Sequence, residues 1–272
     1  MVKIGLFLLL LFSFSFADSL DEKIESFMDS HTYEKNKDYI KILFSPKSSF
    51  YDQGRVKTLK IVQTLKENGL LNLSFKSPQE LRVHFKTSGS PLFFVRLMSD
   101  SLRDIGYYRY VTETSNLDDS AFSWSIVLMS ENATDPLLLE NELSKKGCSI
   151  VDIEMHSLQE WTYVVDMSRA FLNVQSLQSG NIMELKRSLY AHWIEVSKIK
   201  NLRIKSSSRN EWYPYIAFYD KSLHLLELIK IDAKQTQINL EVPKYTQYMK
   251  VSDLYTLKNI KDELFVEPIE AR

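Results

Sequence analysis

Three times between Arg55 and Met167 the chain repeats one order of signals: an apolar-periodic segment, a Leu-x-x-x-Gly step, and two alternating segments separated by a polar break. The leucine–glycine pairs are Leu65/Gly69, Leu102/Gly106 and Leu143/Gly147. A helix that ends by turning into a strand needs a left-handed residue just past its last turn, and glycine adopts that conformation with no Cβ to clash. The chain of 272 residues holds only seven glycines, so three of them at one structural position predict tandem helix–β-hairpin (αββ) modules. One module alone buries too little, so the modules must pack on one another or on a partner.

In the first module Val56, Leu59, Val62 and Leu65 share a helical face. The following hairpin places Leu71, Leu73 and Phe75 inward, turns at Ser77-Pro78, and returns with Leu81, Val83 and Phe85 inward while Arg82, His84 and Lys86 face water. Modules two and three start at Ser90-Pro91 and Asp135-Pro136, a capping residue followed by proline at the first helical position. Their hairpins are predicted over Tyr107–Glu113 with Ala121–Met129, and over Ile150–Met155 with Glu160–Asp166. Ahead of the modules, Ser19-Leu20-Asp21-Glu22 reads as a capping box opening a helix that carries Leu20, Ile24, Phe27 and Met28, and Tyr39–Phe44 reads as a strand.

Beyond a connector over 169–182 the helical signals stop. Strands are expected over Met183–Val196, Asn201–Lys205, Tyr213–Tyr219, Leu223–Ile231, Gln237–Val242 and Tyr245–Val251, a spacing that suits a β-sandwich. The fold class is therefore α+β: a signal peptide over 1–17, an N-terminal helix and three αββ modules over 18–168, the connector, an antiparallel β-sandwich over 183–257, and a C-terminal tail over 258–272.

Met-Val-Lys, the apolar run Ile4–Leu11 and the small residues Ser15 and Ala17 make a secretory signal peptide cleaved before Asp18. No later stretch approaches the roughly 20 apolar residues of a membrane span, so the mature chain is expected to have no transmembrane segment. The lone cysteine, Cys148, cannot close an internal disulfide. An exported chain held by its core alone suits a bacterial periplasm. Removing residues 1–17 takes away Lys3, leaving 33 basic against 35 acidic residues and a net charge of −2. Such a balance offers nucleic acid no electrostatic footprint. The internal Lys261-Asp262-Glu263-Leu264 is followed by eight residues and is not a terminal retention signal.

Tyr215-Ile-Ala-Phe-Tyr-Asp220, Ile238-Asn-Leu-Glu-Val-Pro243 and Tyr248-Met-Lys-Val-Ser252 resemble the second half of carbohydrate-binding-type jelly-roll sandwiches. The family's small glycine–alanine turn before the last of these strands is Lys244-Tyr245-Thr246-Gln247 here. The resemblance implies a sandwich fold and, more weakly, a glycan ligand. By element order, the front half resembles the small αββ modules of envelope assembly proteins, the POTRA and secretin N-domain types.

Phosphate-cradling loops need closely spaced glycines, and the nearest pair, Gly54 and Gly69, is 15 residues apart. His31, His84, His156, His192 and His224 stand singly, so no motif calls for a metal or a cofactor. Gly89-Ser90-Pro91 lacks the second glycine of a nucleophile elbow. Asp118-Asp119, and Asp152 with Glu154, read as solvated rather than catalytic. The C-terminal aromatics carry the remaining signal, because a ring with a polar edge suits sugars and protein interfaces. Trp212, Tyr213, Tyr215, Tyr245 and Tyr248 are the binding candidates, with Trp212 and Tyr213 expected to be exposed. The reading is a non-enzymatic periplasmic assembly or scaffold component of an envelope-spanning machine, such as a flagellar motor or secretion accessory. Its expected partners are other envelope proteins, glycan or peptidoglycan. The alternatives are a glycan-binding module acting alone and a hydrolase whose acids meet only in the fold.

Overall fold

The computed structural model of the chain describes residues 20–118 and 121–269. They divide into two compact units, one ending at Ala170 and the other beginning at Phe171. The expected signal peptide and Ser19 of the capping box lie outside the described residues. The α+β class holds: helices and several largely antiparallel sheets coexist in one chain.

The first unit runs through α1 (described over 20–25), α2 (Ser30–Leu43), β1 (Tyr51–Asp52), β2 (Arg55–Val56), α3 (Thr58–Glu67) and β3 (Ser74–Thr87). It continues with α4 (Pro91–Asp104), β4 (Val111–Leu117), β5 (Phe122–Asn132), α5 (Pro136–Ser144), β6 (Ser149–Ser157) and β7 (Glu160–Asp166). The three Leu-x-x-x-Gly steps close α3, α4 and α5 in the same way. Gly69, Gly106 and Gly147 have φ of +71°, +99° and +73°. The next amides, on Leu70, Tyr107 and Cys148, donate back to the carbonyls of Leu65, Leu102 and Leu143 at 2.8, 2.8 and 3.0 Å. This is the six-to-one bond of a Schellman motif. All three leucines are fully buried, so one residue per step anchors the helix end in the core and also accepts the bond that ends the helix.

The strands that follow enter a single five-stranded sheet, in the order β4-β5-β3-β7-β6. β3 and β7 are parallel, and the other pairs are antiparallel. The hairpin expected around Ser77-Pro78 does not form. β3 is one strand of 14 residues whose pairing with β5 is irregular between Ser74 and Gln79; there Pro78 has no N–H for a ladder. The first repeat thus supplies a helix and the long central strand, while the second and third supply the hairpins β4–β5 and β6–β7 that flank it.

Two local expectations are corrected. Tyr39–Phe44 is the end of α2 rather than a strand: Ile40 and Phe44, four apart, are buried while Ile42 is 71% exposed, which is a helical and not an alternating pattern. Asp29 caps this helix by accepting from the Thr32 amide at 2.9 Å. Asp135 caps α5 through the Leu137 amide, whereas Ser90 makes no side-chain cap bond to α4. The core lies between the helices and one sheet face. Phe85 packs against Phe94, Trp124 and Tyr163, and Trp161 stacks on Phe27.

The second unit comprises β8 (Gln175–Ser176), β9 (Met183–Leu185), β10 (His192–Glu195), β11 (Asn201–Ser206) and β12 (Pro214–Tyr219). Then come β13 (Leu225–Lys230), β14 (Gln237–Glu241), β15 (Tyr248–Asp253) and β16 (Leu264–Pro268). They form one sheet ordered β13-β12-β15-β10-β8 and another ordered β14-β11-β16-β9. Both contribute to one core: Ile194, Ile216, Phe218, Met249 and Val251 from the first, and Leu202, Ile204, Leu240, Leu264 and Val266 from the second. The expected boundaries shift accordingly. From Phe171 onward the expected 169–182 connector carries β8 and the buried Leu172 and Leu177, so that part belongs to this unit. The described part of the expected 258–272 tail, residues 258–269, is no tail, because β16 sits between β11 and β9 with Leu264 and Val266 fully buried. The single strand expected over Met183–Val196 is two strands in different sheets.

A methyl added at Gly69 or Gly106 meets no atom within 4 Å, so the cost of alanine there is backbone strain alone, about 1–2 kcal/mol per site. Gly69→Ala and Gly106→Ala should each lower the unfolding free energy by that amount, read as a lower urea midpoint with the slope unchanged; a neutral result would contradict the left-handed closure.

Candidate functional site

Alternation decides which face of β12 is free. Ile216 and Phe218 point into the core, so Tyr215, Ala217 and Tyr219 lie on the opposite face of the sheet. Register then brings in the neighbours. Lys250 of β15 stands opposite both Ala217 and Trp193 of β10, and Lys230 of β13 stands opposite Tyr215. The small Ala217 leaves room for the Lys250 stem between flanking aromatics.

The result is a row of alternating rings and ammonium groups. Trp193 and Tyr219 have centroids 5.0 Å apart. The Lys250 Nζ lies 5.8 Å from the Trp193 ring and 5.9 Å from the Tyr215 ring, and the Lys230 Nζ lies 5.6 Å from Tyr215. Each such contact is worth about 0.5–1 kcal/mol at a partly exposed site. Among the described residues neither lysine forms an ion pair with a carboxylate. The three aromatics and Lys250 are half-buried and Lys230 is exposed. Burial pushes the Tyr219 phenol above its ordinary range, and Tyr215 adds to the effect. Chemically, this strip offers flat apolar faces edged with unneutralised positive charge.

Of the five candidates read from sequence, only Tyr215 belongs to this strip. Trp212 is fully buried and its indole N–H donates to the Ser252 carbonyl at 2.9 Å, so the expectation that it is exposed is corrected. Tyr248 is 3% exposed, and its hydroxyl accepts from the Leu172 amide at 3.0 Å. Both are core residues whose polar tips are satisfied internally. Tyr213 is half-buried with its ring edge-on to Tyr255 at 5.2 Å, and its amide donates to Asp253 at 2.9 Å. Tyr245 is 88% exposed with φ +67° in the β14–β15 turn. Trp193, Tyr219, Lys230 and Lys250 are not among those five candidates. The alternation of 215, 217 and 219 against 216 and 218 could have flagged Tyr219, but Trp193 and Lys250 join only through strand register.

The first unit's sheet turns its other face outward as a polar ladder. Arg82 grips Glu113 through two bonds of 2.9 and 3.1 Å. His84 contacts the Ser125 hydroxyl through Nδ1 at 2.7 Å and Glu160 through Nε2 at 2.9 Å. The His84 bond holds the Glu160 carboxyl below the usual carboxylate range. His156 bonds Thr162 at 2.9 Å. The acids considered for hydrolysis are dispersed: Asp118 is exposed and accepts from the Ala121 amide at 2.7 Å, Asp152 pairs with Lys23 at 2.8 Å, and Glu154 lies 3.8 Å from His156. Asp119 lies outside the described residues. Among the described residues no group of three or more metal-ligating side chains converges, and no helix is long and apolar enough to cross a membrane.

Comparison of the chain with protein-family models, with curated proteins and with solved structures returns no match.

Of the four tryptophans, Trp124, Trp161 and Trp212 are 3% exposed or less. Iodide should therefore quench the Trp193 fraction of the native emission and little else. Trp193→Phe should abolish that fraction with stability nearly unchanged, while Trp212→Ala should cost about 3–5 kcal/mol. Equal quenching in wild type and Trp193→Phe would contradict the assignment of the open face.

Proposed function

We propose that the chain is a non-enzymatic periplasmic cell-envelope protein, exported through a cleaved signal peptide, that serves as an assembly or scaffold component of an envelope-spanning machine such as a flagellar motor or secretion accessory. On this reading the three identically closed helix ends are the trace of a repeated αββ unit, and the two facing sheets of the second unit are its β-sandwich. Export rests on the N-terminal sequence.

The observation that carries the contact role is a cluster of exposed apolar side chains in the first unit. Tyr108, Val111 and Met129 are 75%, 71% and 66% exposed. They line one open groove of about 870 Å³ together with Arg103 and Arg109. Apolar surface beside fixed charge suits a protein contact. With a photo-crosslinking amino acid at Met129, irradiation of intact cells should give an adduct with a specific envelope protein. Recovery of the uncrosslinked chain alone would contradict the reading.

A second reading, glycan or peptidoglycan binding, is favoured by the Tyr219–Trp193–Lys250–Tyr215–Lys230 strip. Rings of this kind stack on sugars, and unneutralised lysines attract carboxylates. Soluble peptidoglycan fragments should then shift Trp193 emission saturably, with the shift lost in Tyr215→Ala. An emission spectrum unmoved by the fragments would remove this reading.

A further inference from the structure

The aromatic strip of the second unit has two unlike ends. Residues paired directly across a ladder share a face, so Leu225, opposite Tyr219, joins the open side of the sheet. At this end Trp193, Tyr219 and Leu225 present apolar surface, with the two ring centroids 5.0 Å apart and Leu225 54% exposed. At the other end Tyr215 is flanked by Lys250 of β15 and Lys230 of β13, whose ammonium groups stand 5.9 and 5.6 Å from its centroid. These separations are near the outer limit of a cation–π contact, about 6 Å. A ring at that distance attracts an ammonium group without using up its N–H donors. Among the described residues no acceptor oxygen meets either lysine.

The carboxylates of the adjoining strands and turns face away or are engaged elsewhere. Glu227 pairs with Phe218, a core residue, and so lies on the opposite face. Asp232 accepts from the Tyr255 hydroxyl, and Asp253 accepts from the amides of Tyr213, Tyr255 and Thr256. Glu195 does share the open face, but it stands in the row of Tyr248 and Tyr219, where it accepts from the hydroxyls of Ser176 and Ser197. A fixed carboxylate therefore marks the apolar end, and two ammonium groups with unfilled donors mark the other.

We infer that this face takes an acidic saccharide, with an uncharged sugar on Trp193 and Tyr219 and a carboxylated sugar at Tyr215, its carboxylate held between Lys250 and Lys230; this rests on the glycan reading above and narrows it to uronate-bearing chains. Sugar rings have apolar C–H faces that lie flat on aromatic rings. A carboxylate has acceptors enough for two ammonium groups, and such charge-assisted bonds are the strong ones. Glu195 opposes the reversed placement, because it would set like charges side by side.

The test uses a hyaluronan tetrasaccharide, in which N-acetylglucosamine alternates with glucuronate, beside the same tetrasaccharide with its carboxylates reduced to alcohols. Each is titrated into the purified protein at low salt while Trp193 emission is followed. The acidic form should bind at least about tenfold tighter than the reduced form, and its advantage should shrink as salt is added. Lys250→Met and Lys230→Met keep an apolar stem of similar length. Each should cut that preference about threefold and leave the affinity for the reduced form nearly unchanged. Equal affinity for the two forms would overturn the acidic assignment and leave the glycan reading standing. Polyglutamate binding as tightly as the acidic tetrasaccharide would also overturn it, since charge alone would then suffice. Binding of neither tetrasaccharide would overturn it as well, and the glycan reading would then depend on the peptidoglycan fragments alone.

Discussion

The hydrogen bond from the residue after each glycine back to a buried leucine carbonyl is the constraint on which the first unit depends. It ends α3, α4 and α5 at a fixed distance from the core, because the leucine that accepts the bond is itself packed there. Position and termination are set by one side chain and one amide, so the strand that follows leaves each helix along a comparable path. Three such exits allow separate helix–strand segments to enter one sheet, with β3 as the long central member. The apolar face of that sheet is then covered by the helices, and the polar ladder around His84 and the β4 edge remain to meet whatever the protein touches.

What could be read from sequence follows the range of the forces involved. The glycine closures, the proline starts at Pro91 and Pro136 and the hairpins β4–β5 and β6–β7 are local, set by residues a few places apart. The errors come from tertiary choices. Ser77-Pro78 reads as a turn, but a neighbouring strand accepts a break in pairing there and β3 continues. Ile40, Ile42 and Phe44 read as alternation until the Asp29 cap and the burial of Ile40 with Phe44 select the helix. Leu264 and Val266 lie in too short an apolar stretch to declare a strand, yet they occupy the middle of a sheet.

The binding surface divides along the same line. Trp212 and Tyr248 belong to an aromatic-rich segment, and composition cannot distinguish a ring whose polar tip reaches solvent from one whose tip bonds a backbone group. The Ser252 carbonyl and the Leu172 amide settle the matter. The strip on the second unit is assembled from β10, β12, β13 and β15, whose order in the sheet is not their order in the chain. Its charge balance is equally a product of register, since Lys250 faces rings on both sides and no carboxylate.

An open edge is a statement about backbone amides, and amide hydrogen exchange reads it directly. The outward-facing amides of Val111–Leu117 should exchange far faster than Ile150 and Ile153, whose amides are bonded to carboxylates. Equal protection of the two edges would contradict the account.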